Sequence, residues 1–242
     1  MKEAARLALL LDYDGTLVPI APTPELARPD AELLALLGGL AARPGTNVHL
    51  VSGRPSDALT AWFGHLPVAL WAEHGAYCRL SREEAWRSTL PVHTEWMSDV
   101  YPIVDEITAG TPGSIVEQKQ ASIAWHYRGA DPEHGTAQAH ELRVRLRRVQ
   151  HRHAVDVLEG RKVIEIRMTG VSKAVVARHL LVAGHDPDIL AIGDDWTDED
   201  LFNALPESSV TVAVGRRGSS ADYQLPDDHA VRRLLATIVE KV

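Results

Sequence analysis

Five short, predominantly apolar runs punctuate the chain, at Leu7–Leu11, 47–51, 68–71, 189–192 and Val210–Val214. They are solid rather than alternating, the pattern of strands buried on both faces. Residues 29–40, Ser56–Phe63 and 173–183 carry apolar positions at helical spacing. Gly38-Gly39 near the end of the first and Gly184 after the last read as stop signals. Strands alternating with helices predict a parallel sheet in an α/β fold.

The middle of the chain follows another rhythm. Between residues 86 and 167 the stretches "SIVEQKQASIAWHYR" and "KVIEIR" alternate apolar with polar, and a polar helix-like segment, 132–149, lies between them. Alternation of this kind describes an antiparallel sheet with one wet face. The expectation is a smaller α+β domain at 86–167 inserted into a larger one formed by 1–85 and 168–242. No internal repeat or low-complexity tract interrupts either part.

Composition adds bounds rather than direction. At 45% apolar and 24% charged residues, the 242-residue chain resembles an ordinary globular protein. Its formal charge of -8, from 33 acidic and 25 basic residues, argues against a general polyanion-binding surface, so no nucleic-acid partner is expected. Cys78, the single cysteine, permits no intrachain disulfide and reads as a small buried residue. Lys2 and Arg6 precede an apolar patch too short for a signal-peptide core, and no stretch approaches the roughly 20 apolar residues of a membrane helix. A cytoplasmic monomer without a membrane partner is the expectation.

The residues just past each apolar run are less ordinary. In open parallel sheets ligands bind beyond the carboxyl ends of the strands. There the chain reads Asp12-Tyr13-Asp14-Gly15-Thr16, Ser52-Gly53-Arg54 and Gly193-Asp194-Asp195-Trp196-Thr197-Asp198, with Lys173 in Gly170-Val171-Ser172-Lys173 opening a helix near the same edge. Each piece alone has a bland explanation as a turn, a cap or a solvated charge. Four of them at one edge point instead to phosphoryl transfer. Asp12 and Asp14, two apart, can face one phosphorus, one as nucleophile and the other as general acid and base. Carboxylates beside a phosphate dianion call for a hard cation, and Mg2+ suits Asp12, Asp194 and a backbone carbonyl. Ser52 and Lys173 would hold the phosphoryl oxygens.

"DYDGTL", "VSGR", "GVSK" and "GDDWTDED" resemble the four motifs of the haloacid-dehalogenase-like phosphatases, in their usual order. "WAEHGA" at 71–76, "VEQKQASIAWHYR" at 116–128 and "GRKVIEIR" at 160–167 are similar to the trehalose-6-phosphate phosphatase branch. The resemblance implies a Rossmann-like core with an inserted cap, and Asp12 as nucleophile. It implies Asp14 as general acid/base and carbonyl metal ligand, Ser52, Gly53 and Lys173 on the phosphate, and Asp194 on Mg2+. Asp195, Asp198 and Arg54 are expected to support these groups from behind. In the cap, Glu117 and Lys119 share one strand face, His126 and Arg128 share a face of the next, and Glu165 falls on a third. Without the resemblance these are equally a solvated charged face; with it, they look like binders of sugar hydroxyls. Glu73-His74-Gly75 is a junction that either contacts substrate or serves structure. Two features depart from the pattern or vary within it: Ala174 stands where glycine is frequent, and Trp196 occupies a variable place, where packing on the core is favoured over facing the sugar. The other histidines, including His151 and His153, are expected at the surface. Leu17–Ile20 is expected as a small flap.

The expected activity is Mg2+-dependent hydrolysis of trehalose 6-phosphate. Alternatives are a phosphatase of sucrose phosphate or a glycosylglycerate phosphate, and a non-catalytic domain regulating a sugar-phosphate synthase. A phosphoacceptor receiver domain would also use an acidic pocket and a lysine, but not a chain this long with an insertion.

Overall fold

The computed structural model describes residues 7–182, 187–215 and 218–240; Lys2, Arg6 and the stop expected at Gly184 lie outside them. The chain splits into two compact units, residues 1–89 with 172–242, and residues 90–171.

In the first unit, β1 (Leu7–Leu11), α1 (Ala31–Ala42), β2 (Thr46–Val51), α2 (Ser56–Phe63), β3 (Ala69–Ala72), β4 (Tyr77–Arg79) and β5 (Arg87–Ser88) precede the insertion. In the second, α3 (Met97–Ala109), β6 (Ile115–Gln118), β7 (Ser122–His126), α4 (Pro132–Gln150), β8 (Val155–Gly160) and β9 (Val163–Met168) follow in order. The first unit then resumes with α5 (Ala174–Val182), β10 (Asp188–Gly193), α6 (Trp196–Ala204), β11 (Val210–Val214), β12 (Tyr223–Leu225) and α7 (Asp228–Glu240).

The first unit's sheet runs β12-β11-β10-β1-β2-β3-β4-β5, parallel as far as β3 and antiparallel beyond it. The solid apolar run of β1 has a direct cause: both faces are covered. Leu9 and Leu11 pack with Leu33, Leu37 and Leu40 of α1, Leu59 and Phe63 of α2, and Val231 and Leu235 of α7. Ala8 and Leu10 pack on the other face with Val176 and Ala177 of α5 and Leu201 and Phe202 of α6. Each fully buried leucine contributes roughly 1.5–3 kcal/mol of transfer free energy. Helix α1 passes straight through Gly38-Gly39 rather than stopping there. A side chain at Gly39 would lie 3.4 Å from Val239, so that glycine serves the close approach of α1 to α7.

The second unit is a four-stranded antiparallel sheet, β6-β7-β9-β8, with helices over one face only. Ile123, Trp125, Ile164 and Ile166 point into a core closed by Val100, Val104 and Ile107 of α3 and by Leu142, Leu146 and Val149 of α4. Helix α4 starts where its caps predict: Asp131 accepts hydrogen bonds from the Glu133 and His134 amides, Pro132 takes the first turn, and Arg147 and Arg148 close the last. Among the described residues, no helix is long and apolar enough to cross a membrane.

Candidate active site

β1 lies between β2 and β10 in parallel register, with Leu11 opposite both Leu50 and Ile192. The Asp12 amide extends that ladder by donating to the Ile192 carbonyl at 3.0 Å. The chain ends of three neighbouring strands therefore emerge together, and strand order reverses here, with β2 and β3 on one side and β10 to β12 on the other. That reversal is the crevice where open α/β sheets bind ligands.

Lys173, 2% exposed, sits among carboxylates. Its Nζ donates to Asp12 Oδ1 at 2.6 Å and to Asp198 Oδ1 at 2.7 Å. Burial opposes the ammonium, but Asp12 and Asp198 outweigh it and raise the Lys173 pKa, so it stays charged. Burial pushes the Asp12 carboxyl up to about 7 against the pull of Lys173, and pushes Asp194 up to about 9, with Asp12 and Asp198 adding to the rise. Asp198 is raised by burial too, despite Lys173. Asp198 also closes a capping box at the start of α6: its Oδ2 accepts from the Asp195 amide at 3.1 Å, while Asp195 accepts from the Trp196 amide at 2.6 Å.

Asp12, Asp194 and Asp198 each offer an oxygen within 4.8 Å of the others. Asp194 Oδ1 is buried with no hydrogen-bond partner among the described residues. Once all three carboxyl groups were ionised, they would leave two formal negative charges against one ammonium on an all-oxygen donor set. A hard divalent cation fits that description.

Asp14 faces Arg54, which donates Nε to Asp14 Oδ2 at 2.8 Å and Nη2 to Asp14 Oδ1 at 2.6 Å. The turn after it is tight. Gly15 adopts φ 85°, donates to the Val18 carbonyl at 2.8 Å, and any side chain there would strike the Asp194 carboxylate. Leu17 and Val18 then turn inward and are buried in the core, so the expected flap at 17–20 is not formed by them. Ser52, 1% exposed, accepts through Oγ from the Arg54 amide at 3.1 Å. The Ser52-Gly53-Arg54 loop is gripped by Glu73 and His74, whose amides donate to the Arg54 and Ser52 carbonyls. Both are buried and left-handed, at φ 49° and 57°, and the His74 ring fills the space a side chain at Gly53 would need.

In the second unit, Glu117, Ala124 and Glu165 stand in line across β6, β7 and β9. Glu117 Oε2 pairs with His126 Nε2 at 2.9 Å, and Lys119 Nζ donates to Glu165 Oε1 at 3.1 Å. Burial works against ionised Glu117, but the His126 hydrogen bond and the Lys119 charge lower its pKa. Ser122 Oγ adds a 2.8 Å bond to Glu165, a partner the sequence reading did not single out. Arg128 departs from this set: it lies past the end of β7, exposed, and donates to the Arg161 carbonyl at 2.8 Å.

Two further expectations are corrected and one holds. Trp196 is 66% exposed at the start of α6 rather than packed on the core, because α6 buries Leu201 and Phe202 instead. His49 is buried, accepting from Trp71 Nε1 at 3.1 Å, and burial holds its pKa at about 4. Cys78 is the buried small residue expected.

A family model described as "Trehalose-phosphatase" matches residues 10–229. The chain belongs to the trehalose-phosphatase family. It is 42% identical over 96% of its length to a bifunctional trehalose-6-phosphate synthase/phosphatase of Thermoproteus tenax, covering 32% of that protein. It is 37% identical over 84% of its length to a trehalose-phosphatase of Zygosaccharomyces rouxii, covering 25% of it. The chain thus spans a third or less of the length of these curated relatives. Among solved structures, the C-terminal domain of trehalose-6-phosphate phosphatase from Candida albicans superposes with a TM-score of 0.92 at 31% identity, over 100% of this chain and 94% of that one.

Proposed function

We propose that this member of the trehalose-phosphatase family hydrolyses trehalose 6-phosphate to trehalose and phosphate. The observation that carries the reading is the buried cluster of Asp12, Asp194, Asp198 and Lys173 at the sheet's switch point. An Asp12 oxygen forms a bond to phosphorus as the bond from phosphorus to the sugar oxygen breaks, and Asp14 gives that oxygen its proton. Asp14 then takes a proton from water as the water oxygen bonds to phosphorus, and the aspartyl-phosphate bond breaks to return Asp12 and release phosphate. Lys173 holds Asp12 in line and meets phosphoryl charge in a site where an ammonium needs no reorganisation, and Ser52 and Gly53 offer hydrogen-bond donors beside it. Asp12, Asp194 and the Asp14 carbonyl would hold Mg2+, with Asp198 behind them; when bound, it supplies Lewis-acid neutralisation of phosphoryl oxygens. Glu117, Lys119, His126 and Glu165 carry the donors and acceptors a disaccharide's hydroxyls require, and mispaired polar groups there would penalise another sugar.

Phosphate release from trehalose 6-phosphate, sucrose phosphate and a glycosylglycerate phosphate, each with Mg2+ and with chelator, tests the reading. The expected result is fastest turnover of trehalose 6-phosphate, lost with chelator. Faster turnover of another ester reassigns the substrate, and no release from any of them leaves a binding domain.

A further inference from the structure

We infer that Arg54 is a positioning residue for the acid–base step, fixing the plane and direction of the Asp14 carboxylate; the inference rests on the reading of Asp14 as proton donor to the sugar oxygen. Two parallel hydrogen bonds, at 2.8 and 2.6 Å, tie Nε and Nη2 of Arg54 to the two oxygens of Asp14. A single bond would let a carboxylate rotate, whereas a guanidinium fork sets its plane. Each carboxylate oxygen keeps a second lone pair, so the fork still leaves Asp14 able to meet a proton.

Arg54 is itself held from every side. Its Nη1 donates to the Pro24 carbonyl at 2.7 Å, and its guanidinium carbon lies 4.7 Å from the centre of the Trp62 ring and 5.7 Å from that of Tyr13. Tyr13 is anchored in turn, donating its hydroxyl to the Ala27 carbonyl at 2.6 Å. The Arg54 backbone is pinned as well, its amide to Ser52 Oγ and its carbonyl to the amide of left-handed Glu73. The side chain of Asp14 is 35% exposed and that of Arg54 11%. A pair that open to solvent adds little stability by itself, yet it freezes a long side chain. The surrounding supports therefore make sense as preorganisation of Asp14 toward the open edge, where a misplaced donor is costly to rate. Lysine at position 54 would keep the charge and lose the fork.

The test uses the 242-residue chain with Mg2+ and two esters. From trehalose 6-phosphate the sugar leaves as an alkoxide that must be protonated, while from p-nitrophenyl phosphate the nitrophenol leaves as a phenolate that needs no proton. Arg54→Lys is expected to lose about 10-fold or more in kcat on the sugar phosphate and less than about 3-fold on the aryl ester, since general acid catalysis is worth roughly 100-fold or more. Trp62→Leu, which removes the stack but not the fork, shifts the same ratio in the same direction by a smaller factor, and decides the matter if Arg54→Lys does not fold. Equal losses on both esters, or no loss on either, overturn the inference and leave the phosphatase reading standing. Wild-type protein inert toward both esters overturns the two together.

Discussion

The sheet edge of the first unit and the polar face of the inserted sheet carry similar residues, acids beside bases, but they are balanced differently. At the edge, three carboxyl groups surround one buried lysine, which bonds two of them, and ionising all three would leave negative charge over. On the inserted sheet each acid has a hydrogen-bonding partner, Glu117 with His126 and Glu165 with Lys119. An unbalanced, buried cluster is poised to take a cation and to react. The paired groups keep spare lone pairs and N–H donors that can meet neutral hydroxyls while each acid stays with its partner.

The sharpest way to break that contrast is Asp12→Asn. If Asp12 is the nucleophile proposed, this should lower kcat by at least about 1000-fold on any phosphate ester, since a nucleophile acts whatever the leaving group; phosphate release under saturating substrate reads it. Lys173→Met should cost about 3–5 kcal/mol of stability by leaving buried carboxylates without their base, with Mg2+ restoring part of the loss in a thermal melt. If Lys173→Met melts like wild type, Lys173 does not hold the buried carboxyl groups of the edge together.

His49 supplies a pH test confined to the first unit. Its pKa falls from 6.5 to about 4 on burial. Above pH 6.5 it is neutral in both states and costs nothing. Between 6.5 and 4 the unfolded chain binds a proton that the native chain refuses, so stability falls with pH, by about 3 kcal/mol once both would be protonated. Denaturant midpoints across that window should lose this slope in His49→Gln. Smallest of all, Trp196→Ala should move stability by less than about 0.5 kcal/mol, its ring being largely in water; a larger drop in melting temperature would restore a packing role for it.

The two units also differed in how far they could be read beforehand. β1 and its neighbours were legible because strands covered on both faces must be apolar throughout, and parallel register then brings their last residues to one edge. Helix α3 was hidden by Pro102 in its interior, although Met97, Val100, Val104 and Ile107 keep helical spacing. Strands β4, β5 and β12 are three residues or fewer, too short to show a period. In the candidate site, residue types and strand ends were visible, but pairings were not. Nothing in the spacing tells that Arg54 forks onto Asp14 rather than onto phosphate, that Trp62 stacks on Arg54, or that Ser122 supports Glu165, because these meet only after folding. Leu17 and Val18 were misread for the opposite reason: a short apolar run beside a site looks like a flap until the Gly15 turn directs it into the core.

The central claim is that chemistry resides at the Asp12 edge and sugar recognition on the Glu165 face. It is tested most directly by kcat/KM of Glu165→Gln on trehalose 6-phosphate and on p-nitrophenyl phosphate, side by side with wild type. The predicted result is a loss of about 10- to 100-fold on the sugar phosphate alone, the scale of an unmatched buried polar contact, with the aryl ester untouched. Equal loss on both esters would contradict it.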